Sequence, residues 1–253
     1  MAQTPPQIQR VIDGSYNFDF GKYIGDSLNV IGRNFGPFLG FMLVWFMISM
    51  ATQFVPIIGP LASWLVVSPC LTAGVYLAVQ KSHDKEYLDF GTFFKGFDHI
   101  GELALAALIQ GLIMVAICIP AIIAFIVGLD FENFDPDQPD FTDFPWWALG
   151  FLIPVIYLSI AWAFTPMLII FHKMQAWPAM EASRKIISKQ WVMFFLLAIV
   201  AGIIATLGML ALIVGLLFTV PVYFAITYLA FRDIVGLPKE PEAATLASDH
   251  FVD

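Results

Sequence analysis

Asp98, His99 and Glu102 set a histidine with two carboxylates at helical spacing, at the start of a long apolar stretch. A histidine titrates near neutrality and an adjacent carboxylate can orient it, so such a cluster has the parts to move a proton. Glu102 is also placed to pair with a lysine of a neighbouring polar stretch. A second acid-rich segment runs Asp130-Phe-Glu132-Asn-Phe-Asp135-Pro-Asp137-Gln-Pro-Asp140-Phe-Thr-Asp143. Clustered carboxylates suit a hard cation or a cationic partner. The segment lacks the ligand spacing, the glycine and the closing glutamate of a hand-type calcium loop. Its aromatic residues suit a membrane interface, with the acids facing water. Cys70 and Cys118 have neither disulfide nor metal-site spacing. There is no His-Glu-x-x-His, no phosphate-cradling glycine loop and no G-x-S-x-G. The expectation is a non-enzymatic protein with no cofactor and no metal.

The elements that hold these residues are apolar. The hydrophobic fraction is 59%, mean hydropathy is +0.81 and only 13% of residues are charged, which excludes an ordinary soluble domain. Six spans are predicted, at residues 36–54, 61–80, 101–127, 147–171, 191–213 and 216–232. All twelve Lys and Arg residues fall on one side of them: Arg10, Lys22 and Arg33, then Lys81, Lys85 and Lys95, then Lys173, Arg184, Lys185 and Lys189, and finally Arg232 and Lys239. A basic residue at the centre of a membrane helix costs about 2.5–3.5 kcal/mol, and short basic loops stay cytoplasmic. This pattern predicts six transmembrane helices with both termini inside and the acidic segment outside. The net charge of −8 offers no basic face to nucleic acid. Residues 1–19 read as a cytoplasmic tail without the zones of a cleaved signal, and residues 237–253 as a disordered acidic tail. Between them, residues 20–236 read as a single membrane domain.

A polar-and-apolar stretch at helical spacing precedes each odd-numbered span. The first sets Ile24, Leu28, Ile31 and Phe35 opposite Lys22, Asp26 and Arg33, the second aligns Phe90, Phe93, Phe94 and Phe97, and the third sets Met180, Ile187 and Trp191 against Glu181, Arg184 and Lys185. Such faces suit amphipathic helices lying in the cytoplasmic headgroup plane. A shift of 156 residues sets Ser27, Ile31, Arg33, Asn34, Phe35 and Phe38 on Ser183, Ile187, Lys189, Gln190, Trp191 and Phe194, and a shift of 152 sets the Pro69–Ala78 segment on Pro221–Ala230. The implied internal repeat makes an all-α fold of three units, each an interfacial helix followed by a hairpin of two spans. Pro69, Pro154 and Pro221 each remove one helix hydrogen bond and are expected to kink their spans. With Tyr76 and Tyr228 they mark a candidate cavity. Small residues at four-residue spacing, Ala198/Gly202/Thr206 and Ala107/Gly111, predict close helix packing.

Phe164-Thr-Pro166, Trp177-Pro-Ala179-Met-Glu-Ala182-Ser183, Trp191, Gly208, Gly215, Pro221, Ala225, Tyr228 and Arg232-Asp233 follow one another over about the last 70 residues of the apolar region. This succession resembles bacterial six-helix inner-membrane proteins and the membrane domain fused to some glycerophosphoryl diester phosphodiesterases. Where such proteins usually have Tyr before the Arg-Asp pair, Phe231 stands here. The resemblance implies a fold and an inner-membrane location, and carries over no catalytic residue. Membrane lipids are the expected surroundings. The leading functional expectation is a component that binds a membrane or periplasmic protein partner or organises lipid, through the acidic segment and the interfacial helices. The alternative is a carrier or binder of a lipid or other apolar molecule in a cavity between Pro-kinked helices.

Overall fold

The computed structural model describes residues 5–128, 146–210 and 212–238. The described residues form helices and their connections, with no strand among them. In chain order the α-helices are α1 (Pro6–Asp13), α2 (Phe20–Arg33), α3 (Phe35–Gln53), α4 (Ile58–Ala62), α5 (Ser68–His83), α6 (Ile100–Gly128), α7 (Leu152–Ala161), α8 (Thr165–His172), α9 (Ala176–Ser188), α10 (Trp191–Leu210) and α11 (Leu212–Ile234). A π-helical turn, Ser63–Val67, joins α4 to α5, and 3₁₀ segments Phe90–His99 and Trp146–Phe151 precede α6 and α7. Six continuous helices are long and apolar enough to cross a membrane: Phe35–Gln53, Ile58–His83, Phe90–Ile123, Leu149–His172, Trp191–Gly208 and Gly215–Ile234. The chain is thus built as a multi-pass membrane protein. Because α11 already runs from Leu212, Val214 and Gly215 lie inside it rather than in the turn that the spacing suggested.

The six spans are of two kinds. In the second, fourth and sixth, 44% of the most apolar stretch is buried inside the protein, whereas the first, third and fifth bury 17%, 11% and 22%. The even-numbered spans therefore make the interior, and the odd-numbered ones turn side chains such as Met47, Leu112 and Val192 outward. Lipid is as apolar as leucine, so association rests on close packing rather than on escape from water. Aromatic pairs supply much of it. Phe41 stacks on Phe93 at 4.4 Å, and Phe231 meets Phe164 at 5.3 Å and Phe171 at 6.0 Å.

One contact pattern occurs three times. Outer span α3 packs on α11, α6 packs on α5 with the π turn before it, and α10 packs on α7 as well as, more extensively, on its own hairpin partner α11. The short helices follow the same rule: α2 lies mainly on α11, segment 90–99 on α5, and α9 on α7 and α8. Each outer span and its preceding helix thus clasp the inner span that came before them, and the first pair closes the circle by clasping the last. At one such contact the backbones nearly touch. A Cβ on Gly74 would come within 1.7 Å of the Phe93 carbonyl oxygen, and one on Gly96 within 1.9 Å of that of Cys70.

The prolines act in three different ways. Pro69 cannot donate to a carbonyl one turn back, and the helix before it widens into the π turn, where the Ser68 N–H reaches the Ser63 carbonyl. Pro221 lies inside α11. Pro154, which has no N–H to donate, is the third residue of α7, directly after the 3₁₀ segment Trp146–Phe151. The break in the fourth span lies farther on, at Trp162–Phe164, ahead of Pro166.

Candidate functional site

Where the fourth span breaks, backbone groups lose their helical partners. Ser183 of α9 supplies replacements: its hydroxyl donates to the Ala161 carbonyl at 2.7 Å and accepts from the Phe164 N–H at 3.2 Å. The residue is fully buried. Thr165 then opens α8, held by its own N–H to the Trp162 carbonyl at 3.0 Å. Without Ser183, two backbone groups would stand unsatisfied in the apolar interior, which costs free energy. The break therefore persists because α9 is docked against it.

Beside this break lies a cavity of about 540 Å³, within the range of pockets that hold small molecules. One wall is the π turn and the start of α5, with Trp64, Ser68, Pro69 and Thr72. A second is α6, with Leu103, Gln110, Gly111 and Met114. The third is the broken span, with Ser159, Trp162, Thr165 and Pro166. Gln110 lies ten residues into α6, roughly 15 Å from its start, so the cavity sits near mid-span. The Trp64 ring closes over Gly111, where a Cβ would meet the indole at 1.8 Å. Trp64 itself is half exposed on the outer surface.

The lining mixes apolar surface with neutral polar groups. Ser159 donates to the Val155 carbonyl at 2.8 Å. Ser68, Thr72 and Gln110 donate no side-chain hydrogen bond to another described residue. The Thr165 hydroxyl is covered and has no partner among the described residues. Among the described residues, no Asp, Glu, Lys, Arg or His lines the cavity.

Of the residues singled out for a cavity, Pro69 and no other of that set lines this one. Tyr76 is buried against Phe224 with ring centroids 5.8 Å apart. Tyr228 packs on Phe171, and its hydroxyl accepts from Arg232 at 3.4 Å. Pro154 and Pro221 stand apart from the cavity. Ser68, Thr72, Gln110, Ser159 and Thr165 are the polar residues that line it. Ser183 and the helix break had no sequence signal beyond Thr-Pro.

Asp98, His99 and Glu102 share no hydrogen bond with one another. Glu102 turns to α9 and accepts from the Ala176 N–H at 2.7 Å, capping a helix whose own N-cap residue, Gln175, gives no side-chain bond. A carboxylate there meets both an orphan donor and the positive end of the helix dipole. Asp98 is exposed and His99 half-buried. The acidic residues Asp130, Glu132, Asp135, Asp137, Asp140 and Asp143 lie outside the described residues. Among the described residues, no group of three or more His, Cys, Asp or Glu is placed to hold a metal ion.

At the end of the bundle where α2 and α9 dock, a polar network ties the chain's extremities together. Asp233 accepts from Lys22 and from the Tyr23 hydroxyl, each at 2.8 Å, and Arg232 pairs with Asp84. The Asp233 hydrogen bond and charge raise the Lys22 pKa, and burial with the same carboxylate raises that of Tyr23. Helix α1, within the segment expected to be a tail, is seated here. Ile8 is buried, Gln7 donates to the Val235 carbonyl at 2.8 Å, and Lys189 donates to the Gly14 carbonyl at 2.6 Å. Tyr16 donates to the Ile186 carbonyl at 2.8 Å, and burial pushes its pKa up to about 12. No protein-family model, curated protein or solved structure matches the chain.

Proposed function

We propose that this is a non-enzymatic multi-pass protein of the bacterial cytoplasmic membrane that binds an apolar, membrane-dwelling molecule in the mid-span cavity. The observation that carries this reading is the cavity itself, built where the fourth span is broken and the second carries a π turn. Irregular backbone at membrane depth is tolerated where it is buried in protein or lines a cavity. Here both irregularities face one space, lined by Pro69 on one side and Thr165 on the other.

The orientation rests on the one-sided placement of the basic residues, with both termini cytoplasmic and residues 130–143 outside. The threefold contact pattern supports the internal repeat: three units of interfacial helix, outgoing span and returning span, closed into a ring about an axis along the membrane normal. In this reading α2, segment 90–99 and α9 are the interfacial helices. Their inward residues Tyr23, Ile31, Phe93, Ala179 and Ile187 are spent on the bundle. That leaves those faces unavailable to a protein partner, which favours a small ligand over the partner-binding expectation.

Native mass spectrometry of the protein released from lipid nanodiscs tests the proposal. A retained apolar adduct at one per chain, lost when Ala107→Phe fills the cavity, is expected. A stoichiometric protein partner with no small adduct would replace this reading with a scaffold.

A further inference from the structure

We infer that the molecule held in the mid-span cavity is a neutral amphiphile whose head carries a hydroxyl or carbonyl oxygen, and that Thr165 is the group that recognises it. This rests on the cavity reading above and deepens it to a ligand class. The lining fixes the head's charge. With no ionisable side chain around it among the described residues, a carboxylate, phosphate or ammonium head would be stripped of water without a counter-ion, which costs far more than burying a neutral oxygen.

The lining also offers the head hydrogen bonds. Ser68, Thr72, Gln110 and Thr165 can each donate to a ligand oxygen as well as accept from a ligand hydroxyl, and among the described residues the buried Thr165 hydroxyl has no partner. Thr165 is 1% exposed, so its hydroxyl does not find bulk water. The hydroxyl is covered where it stands, and recognition requires a turn about its one side-chain torsion that brings it to a ligand oxygen in the cavity. The exchange is favourable because the donor starts with no partner, whereas most buried polar groups must give one up. Trp64, on the π turn, is half exposed on the outer surface and lies against Gly111 of α6 at the outer rim of the cavity. A ligand that dwells in the bilayer enters past this ring.

The test uses the full-length protein in nanodiscs and four probes of one chain length: dodecanol, a dodecanone, dodecane and dodecanoate. Binding is read by native mass spectrometry, for the wild type and for Thr165→Val, which keeps the shape and removes the hydroxyl. The alcohol and the ketone are expected to bind about tenfold more tightly than the alkane and the carboxylate. Thr165→Val should bring them down to the alkane's affinity. It should leave the melting temperature unchanged or raised, since a hydroxyl with no partner contributes nothing to the fold; a merely structural Thr165 would instead lower it. Equal binding of dodecanoate, or alcohol and ketone affinities unmoved by Thr165→Val, would overturn the ligand class while the cavity reading stands. If no probe binds and the wild type carries no adduct from the membrane, the cavity reading itself fails.

Discussion

The Ser183 hydroxyl lies 2.7 Å from the Ala161 carbonyl oxygen, so a helix packed across the end of the bundle satisfies the backbone where a membrane span is interrupted. Through this contact α9 fixes the position of Thr165, four residues on from Ala161, and with it one wall of the cavity. Removing the hydroxyl leaves an acceptor and a donor unmatched in the interior. Ser183→Ala should therefore cost about 1–3 kcal/mol, read as a lower melting temperature in detergent. It should also weaken ligand retention more than a lipid-facing change such as Leu207→Ala does.

The contact between α5 and segment 90–99 depends on absent side chains. Gly74→Ala and Gly96→Ala would each push a methyl into backbone, at Phe93 and Cys70 respectively. Backbone cannot yield as a flexible side chain does, so either change should sharply reduce the folded protein recovered from membranes. Gly25→Ala and Gly36→Ala are the controls, since nothing lies within 4 Å of a Cβ at either position. They should be recovered at wild-type levels, measured by size-exclusion chromatography of a fluorescent fusion.

Alkaline pH should loosen the end of the bundle that holds α1 and α2. Lys22 and Tyr23 have raised pKa values in the fold, so the stability they contribute is complete below their ordinary values of 10.5 and 10.0. It is lost as pH rises through the folded values. Tyr16 adds a further loss near its value of about 12. The melting temperature should fall on going from pH 9 to pH 12, and Tyr16→Phe should flatten the last part of that fall. Lys22→Ala at neutral pH should matter little, because that ion pair is half exposed. Asp233→Asn should matter more, since it disturbs the Lys22 pair and the Tyr23 hydrogen bond at once.

Trp64 stands at the outer rim of the cavity, half exposed. Trp64→Ala should speed the exchange of a bound dodecanol for a deuterated copy several-fold, followed by native mass spectrometry over time. The equilibrium affinity should change less than the rate, because the cavity's polar groups are untouched. An unchanged exchange rate would place the entrance elsewhere.

The spans were legible because membrane helices announce themselves by length and hydropathy. Most ends agree with the spacing to within a few residues, but the third continuous helix begins at Phe90 rather than near 101 and the fifth ends at Gly208 rather than near 213. The order of the short helices was legible too, since Ile31, Phe93 and Ile187 sit at helical periods and are all buried. The close approaches were not. Gly202, in the stripe Ala198/Gly202/Thr206, has nothing within 4 Å of a Cβ, while Gly208 does meet Thr219 of α11. Four-residue spacing fixes a face of a helix but not which neighbour that face meets. Glu102 was misread for a similar reason. Its partner is the Ala176 backbone, and a backbone N–H leaves no letter in the sequence. The cavity needs Pro69, Gln110 and Thr165 from three spans, and only the packing brings them together.

Photo-crosslinking in intact cell membranes tests most directly whether the cavity is a binding site. A photoreactive residue is placed at Ala107, which lines the cavity, and separately at Leu112, which is 62% exposed on the outer surface of the same helix. The account predicts that Ala107 captures one neutral, oxygen-headed molecule, and that Leu112 captures the bulk phospholipids. Capture of the same bulk lipids at both positions, or of nothing at Ala107, would contradict it.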